Sequence, residues 1–378
     1  MKILCVIEKG TWIEPHIVDS LKELGYQVHV YYYGKCVGEF YGIARYAERL
    51  LKNRKLVNLA KRLVDDKSLD LIFCYVYDDF LLPEAAKALS RLDVPMVNYN
   101  VDMVSQWYRQ IRTAKYFTRI LCAQRDNMNF MVQYNPKVLY FPMAASKSLF
   151  LENNSTPVIP TAPVTFVGSA VLHRRSVLSS LHSAGIPLAI YGNYWKQGLN
   201  ATAPTGFEKS LNDLLFYAWP KLRSEGLRGL LRALKRRFVV TKSLQNAALP
   251  KELLKGVLPK EALSSFFCDS KINLGFTRII GDSPDRAGFT QIKLRDFEIP
   301  LAGGFYLVEH VNEYAEMFKT GIEVETWRTV PELIDKIKYY LVHPEKRRQI
   351  AEAGRKRAEA EHTWNKRFSM LFDELRIR

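Results

Sequence analysis

From Lys2 to Phe141 short apolar runs alternate with amphipathic stretches. KILCVI is followed by a helical pattern near Pro15 to Leu24, then QVHVYYY, a long helix from about Tyr41 to Val64, and LDLIFCYV. The alternation continues with a helix near Pro83 to Leu92, VPMVNYN, a helix around Val104 to Tyr116, RILCA, a helix after Asp126, and KVLYF. Near-continuous apolar runs read as strands buried on both faces, and a helical pattern after each predicts a parallel sheet wound with helices. Residues 1–145 are therefore expected to form a Rossmann-like α/β domain.

The periodicity lapses in MAASKSLFLENNSTPVIPTAP, a Pro-, Ser-, Asn- and Thr-rich stretch, so residues 146–162 read as a linker. It resumes with PVTFVG, a helix near Ser176 to Ala184, PLAIYG, KINLGF, a helix ending near Ala302, FYLVE, and helices from Pro331 to Val342 and Pro344 to Ala360. A second Rossmann-like domain is expected over 163–361, carrying a basic helical insertion at 209–260. The last helix, within 362–378, is expected to return to the N-terminal domain.

A chain of 378 residues is long enough for two such domains. With 48% hydrophobic and 25% charged residues, and no apolar run long enough to cross a bilayer, it reads as globular. MKILCVIEKG lacks the long apolar core and cleavage site of a secretory signal, so a cytoplasmic location is expected. Cys5, Cys74 and Cys122 lie in strand-like runs, as small buried hydrophobes do in a reducing compartment. No CxxC pair or His spacing suits a metal, and no metal or cofactor is expected.

The net charge of +16 is local: residues 209–260 hold twelve Lys/Arg against three acidic residues. Within LRSEGLRGLLRALKRRFVV a helix would group its leucines on one side and Arg228, Arg232, Lys235 and Arg236 largely on the other. Such a face suits docking of 221–242 on anionic lipid headgroups, peripheral on the inner face of the membrane, and equally suits a solvated basic helix. The segment carries no aromatic-stacking or groove-reading motif, so nucleic acid is not an expected partner.

Ligands of open parallel sheets bind beyond the carboxyl ends of the strands. TFVGS followed by LHRR sets Gly168 at a strand end and Arg174 and Arg175 at a helix start, a pattern for a diphosphate or for a tight turn with a solvated arginine pair. In KLRDFEIPLAGG, Arg295 and Glu298 share a helix face ahead of Gly303 and Gly304. They form either an intrahelical ion pair with a glycine cap or a site with Glu298 on ribose hydroxyls and Lys293 or Arg295 on phosphates. No GxGxxG follows a strand, and neither a P-loop nor a GxSxG elbow occurs, so nicotinamide redox, P-loop hydrolysis and serine-hydrolase chemistry lack support.

FVGS with its arginines, IYGNYW, KINLGF, DFEIPLAGGFYLVEH, GIEVETW, YYLVHPEKRRQIAEAGRKRA and EHTWNKR, in that order, resemble the group 1 glycosyltransferases, in the branch typified by the spore maturation protein CgeB. The resemblance implies a GT-B fold, two Rossmann-like domains facing across a cleft, and transfer of a sugar from a nucleotide-sugar donor to a glycan, lipid-linked or protein acceptor. It implies Gly168, Arg174 and Arg175 at the diphosphate, Gly192 and Trp195 on the nucleotide side, and Asn273 and Thr277 near sugar or phosphates. Glu298 would hold the ribose and Gly303 and Gly304 shape the next turn. Many retaining relatives carry a second Glu eight positions before the first, where this chain has Thr290; Asp282 or Asp285 are candidate substitutes.

Glycosyl transfer needs positive charge on the leaving diphosphate and, for inversion, a base for the acceptor hydroxyl. The base is expected from the N-terminal domain: Asp102 after NYNV first, His16 at a helix start second, Glu8 third. Each also has a structural reading, a helix cap for Asp102 and a helix-face histidine for His16. A nucleotide-sugar epimerase or phosphorylase on the same scaffold and a basic nucleic-acid-binding protein are the rival readings.

Overall fold

A computed structural model describes residues 1–34, 46–101, 109–151, 158–170, 172–193, 195, 222, 226–228, 231, 249–278 and 290–377. These fall into two α/β units, one of residues 1–143, 206–226 and 364–377, the other of 144–205 and 227–363, each in its described parts.

The first sheet contains β1 (Lys2–Ile7), β2 (Gln27–Tyr32), β3 (Leu71–Cys74), β4 (Met96–Asn100), β5 (Arg119–Cys122) and β6 (Val138–Tyr140), in the order β2-β1-β3-β4-β5-β6. Every pairing is parallel. Its connections include α1 (Asp19–Glu23), entered through a π-helical turn at Glu14–Val18, then α2 (Tyr46–Asp65), α3 (Pro83–Leu89) and α4 (Arg125–Met131). The helix expected around 104–116 falls partly on residues outside those described; its described end is a single 3-10 turn, Ala114–Tyr116.

The second sheet contains β7 (Val164–Val167), β8 (Leu188–Tyr191), β9 (Leu254–Gly256), β10 (Ile272–Gly275), β11 (Tyr306–Glu309) and β12 (Glu325–Trp327), again parallel, in the order β12-β11-β10-β7-β8-β9. Helices α5 (Lys147–Phe150), α6 (Leu172–Ser183), α7 (Leu263–Asp269), α8 (Arg295–Leu301), α9 (Tyr314–Met317), α10 (Val330–Val342) and α11 (Pro344–Glu361) accompany it. Val164, Leu178, Leu181, Ile190, Ile272 and Leu307 lie at its core.

Three segments differ from the sequence reading. The basic insertion expected to be helical ends in β9, whose short run LKG pairs with β8 across a register irregularity at Ile190 and Tyr191 and has too little apolar periodicity to read as a strand. Part of the stretch read as a linker is ordered: α5 buries Phe150 against Phe267, ring centroids 6.4 Å apart, and Ser264 donates to the Phe150 carbonyl at 2.9 Å. Three-residue β12 is an addition to the expected strands, its short run overshadowed by the stronger pattern of the Pro-initiated helix that follows.

The C-terminal helix α12 (Trp364–Leu375) packs into the first unit. Trp364, Phe368 and Phe372 are buried, Trp364 and Phe368 against Phe141 and Phe368 also against Phe73. Arg367 donates to the Pro142 carbonyl at 3.1 Å. One face of this helix is aromatic and the other charged, and burial of each large ring contributes roughly 2 kcal/mol.

Candidate functional site

In the first sheet β1 lies between β2 and β3, and in the second β7 lies between β8 and β10, so in each the winding reverses beside the first strand. The carboxyl ends of the strands at such a reversal are where doubly wound sheets bind ligands. In the second sheet the reversal lies between β7 and β10.

Gly168 and Gly192 follow β7 and β8 and touch one another. Gly192 has φ +134°, and a Cβ there would come within 2.2 Å of the Gly168 carbonyl oxygen. A Cβ on Gly168 would come within 2.7 Å of the Phe166 ring. Gly168 donates to the Tyr191 carbonyl at 2.9 Å and Gly192 to the Gly256 carbonyl at 2.7 Å. Contact between two strand-end turns therefore requires these glycines, and their N–H groups are committed to the scaffold. Trp195 closes the corner by donating its indole N–H to the Gly168 carbonyl at 2.6 Å.

Two arginines follow on α6. Arg175 stacks over Trp195, 5.1 Å from the ring centroid, and donates to the Trp195 carbonyl at 3.1 Å. Arg174 is 9% exposed and donates through Nη1 to the Ser169 carbonyl at 2.9 Å, while its buried Nε has no partner. A buried guanidinium N–H without an acceptor is costly, which is the condition a bound anion relieves.

On the β10 side Lys293 donates to the carbonyls of Phe276 at 2.6 Å and Thr277 at 3.2 Å. Helix α8 begins two residues later, held by Asp296. The buried Asp296 carboxylate accepts from the Lys293 backbone N–H, from the Tyr306 hydroxyl at 2.8 Å and from the Tyr314 hydroxyl. Burial pushes its pKa up, against the pull of these donors. Arg295 donates to Glu298, whose side chain is 1% exposed. The ion pair is thus present, with the Glu298 carboxylate buried and Arg295 partly exposed. The helix ends in a glycine cap: Gly303, φ +81°, donates to the Pro300 carbonyl at 2.8 Å and Gly304 to Ile299 at 3.0 Å. A Cβ on Gly304 would meet the Phe267 carbonyl at 2.5 Å.

Asn273 and Thr277 serve the scaffold. The Asn273 amide donates to the Phe267 carbonyl at 2.8 Å, and Thr277 donates to the Glu309 carbonyl at 3.2 Å.

Sequence reasoning missed Glu309, the last residue of β11, together with His173 and Arg278. The Glu309 carboxylate lies 2.9 Å from His173 Nε2, accepts the Arg278 backbone N–H at 3.0 Å and pairs with the Arg278 guanidinium at 3.3 Å. Burial pushes its pKa up, but the His173 hydrogen bond and charge and then Arg278 bring it below the usual carboxylate value. The available signal was the charged residue closing the apolar run FYLVE.

In the first unit Asp102 lies outside the described residues. His16 is buried, and its Nδ1 accepts the Trp364 indole N–H at 3.3 Å, so one ring nitrogen faces the C-terminal helix. Glu8 follows β1 and is partly exposed. The neighbouring strand ends hold an amide network: Asn98 donates to the Val76 carbonyl at 3.0 Å, and Asn100 donates to Gln110 at 2.6 Å while its own buried Oδ1 has no partner. Asp78 accepts from Thr113 Oγ1 at 2.6 Å and from the Arg112 N–H at 2.9 Å, and burial pushes its pKa up to about 6.

Residues 223–373 match the model of a family described as glycosyl transferase-like. Whole-chain similarity runs to solved structures. A sucrose-phosphate synthase from Thermosynechococcus elongatus is 13% identical, with 99% of both chains covered and a TM-score of 0.55. Anabaena HepE, solved with UDP and glucose, is 12% identical, with 99% of both covered and a TM-score of 0.56. The chain has the GT-B fold, and its residues 223–373 are similar to the glycosyl transferase-like family. A glycosyltransferase from Rickettsia africae is likewise 12% identical over 98% of this chain and 97% of its own, with a TM-score of 0.55. No curated protein matches the sequence. The match over 223–373 points to glycosyl transfer, and the whole-chain likeness to the fold.

Proposed function

We propose that this chain transfers a sugar from a nucleotide-sugar donor to a hydroxyl acceptor, in synthesis of a cell-surface glycan or glycoconjugate, with the donor held at the β7/β10 edge of the second sheet. The observation that carries this reading is Arg174, a buried guanidinium with an unpartnered Nε at the end of β7. A diphosphate there would accept from it, with Arg175 and Lys293 adding positive charge, so leaving-group stabilisation requires no metal. Glu298 is assigned to the ribose, sharing its carboxylate between the diol and Arg295. HepE, which shares the fold, was solved with UDP-glucose, in keeping with a nucleotide-sugar ligand. The motif order favours the CgeB-type branch.

The acceptor is assigned to the first unit, with Asp102 and His16 as candidate bases. The test is a thermal-shift panel of nucleotide sugars. A true donor at a hundred times its Kd adds roughly 2.7 kcal/mol of stability; no shift with any member overturns the reading.

We place the enzyme in the cytoplasm, peripheral on the membrane and handling a lipid-linked acceptor. Cys5, Cys74 and Cys122 are free and buried, as a reducing compartment allows. No helix among the described residues is long and apolar enough to span a bilayer. Most of 209–260 lies outside the described residues, but Leu227 and Leu231, one helical turn apart in sequence, are 64% and 56% exposed. Neutralising Arg228, Arg232, Lys235 and Arg236 should lower affinity for anionic vesicles by about 1 kcal/mol per charge. Equal co-sedimentation of wild type and quadruple variant overturns membrane docking.

A further inference from the structure

The Glu309 cluster has a geometry that no site residue assigned above accounts for. It joins the carboxyl ends of three adjacent strands: Glu309 closes β11, Arg278 follows β10, and His173 opens α6 after β7. The Glu309 side chain is 3% exposed and that of His173 13%, whereas that of Arg278 is 37% exposed. A carboxylate this deeply buried with three donors upon it is a fixed anchor, and the groups it anchors reach outward from it. The hydrogen bond from His173 puts the shared proton on Nε2 and sets the imidazole plane, with Phe276 edge-on at 5.9 Å. Arg278 is held at its backbone N–H and at its guanidinium by the same carboxylate, and it bridges to Thr290. Lys293 binds the two carbonyls that precede Arg278, so Phe276, Thr277 and Arg278 are held by Lys293 on one side and Glu309 on the other.

We propose that Glu309 is a positioning residue of the donor site, holding His173 and Arg278 against the diphosphate of the nucleotide sugar. The proposal rests on the nucleotide-sugar reading above. In it Arg278 and His173 touch the phosphates, and Glu309 acts through them. Its negative charge offsets part of the surrounding positive charge, which lets Arg174, Arg278 and Lys293 crowd one edge before any anion arrives.

The test uses the full chain, with UDP, GDP and ADP and their nucleosides as probes, each titrated into wild type, Glu309→Gln, His173→Gln and Arg278→Met. For the diphosphate that wild type binds best, affinity is expected to fall at least tenfold in Arg278→Met and Glu309→Gln and several-fold in His173→Gln, with nucleoside affinity unchanged. Histidine 15N spectra should show a protonated Nε2 at His173 in wild type, lost or shifted in Glu309→Gln. Equal loss for nucleoside and diphosphate would make the cluster purely structural and overturn the proposal. Unchanged diphosphate affinity in the variants overturns it while leaving the donor reading standing, whereas a wild type that binds no diphosphate overturns both. Should Glu309→Gln fail to fold, the more exposed Arg278→Met decides by the same criteria.

Discussion

The two sheets reverse their winding at the same place, beside the first strand of each unit, yet the strand ends there carry different chemistry. Around β7 and β10 the side chains are Arg174, Arg175, Arg278 and Lys293, disposed about two buried carboxylates, Asp296 and Glu309. Around β1, β3 and β4 they are the amides Asn98, Asn100 and Gln110, the carboxyl of Asp78, the buried Arg109–Asp79 ion pair, Arg49 spent on the Asp78 and Phe80 carbonyls, and aromatic rings packed on Trp364. Topology decides where a ligand can sit, and the residues at the strand ends decide its charge. A cationic edge suits a diphosphate, and an amide-lined edge suits a neutral hydroxyl compound.

The largest expected contrast lies in the glycines. Gly192→Ala drives a Cβ into the Gly168 carbonyl at a φ of +134°. It should cost about 3 kcal/mol or more and abolish donor binding, measured by urea unfolding and calorimetry. A folded variant with full donor affinity would break the claim that contact between these turns shapes the second edge.

A smaller contrast concerns acid. Asp78, raised to about 6, binds its proton more tightly folded than unfolded, where its value is near 4. Its contribution is fully present below pH 4 and is lost as pH rises through 6, up to about 2.7 kcal/mol. Glu309, lowered on folding, has the opposite sign: its contribution is present above its unfolded value and lost as pH falls. Relative to Asp78→Asn, wild type should therefore lose stability between pH 4 and pH 7 in urea titrations, and a constant difference would contradict the burial argument.

The smallest effect sharpens the glycine comparison. Gly10, just after β1, has φ +72°, and no atom lies within 4 Å of the position a Cβ would take. Gly10→Ala should cost only the left-handed backbone penalty, about 1 kcal/mol. A loss as large as that of Gly192→Ala would mean that the first edge is as tightly shaped as the second.

The apolar runs determined most of the architecture. KILCVI, LIFC, INLG and YLVE are too continuously apolar to be anything but buried strands, and their alternation with helical patterns specified parallel pairing. The order of motifs likewise made the cationic edge legible, through Arg174, Arg175, Lys293 and the glycine cap after α8. Local sequence could not show which charges meet, because Glu309 and His173 lie 136 residues apart and are joined at 2.9 Å only by the order of β11, β10 and β7. Nor could it show that Gly168 and Gly192 serve each other's approach, which depends on a distance across the sheet; the Arg295–Glu298 pair was legible from its spacing, but the burial of Glu298 was not, since it depends on what packs over α8. Strands β9 and β12 were invisible for a related reason: three residues carry no readable period, and the energy that makes them strands comes from neighbours already in place.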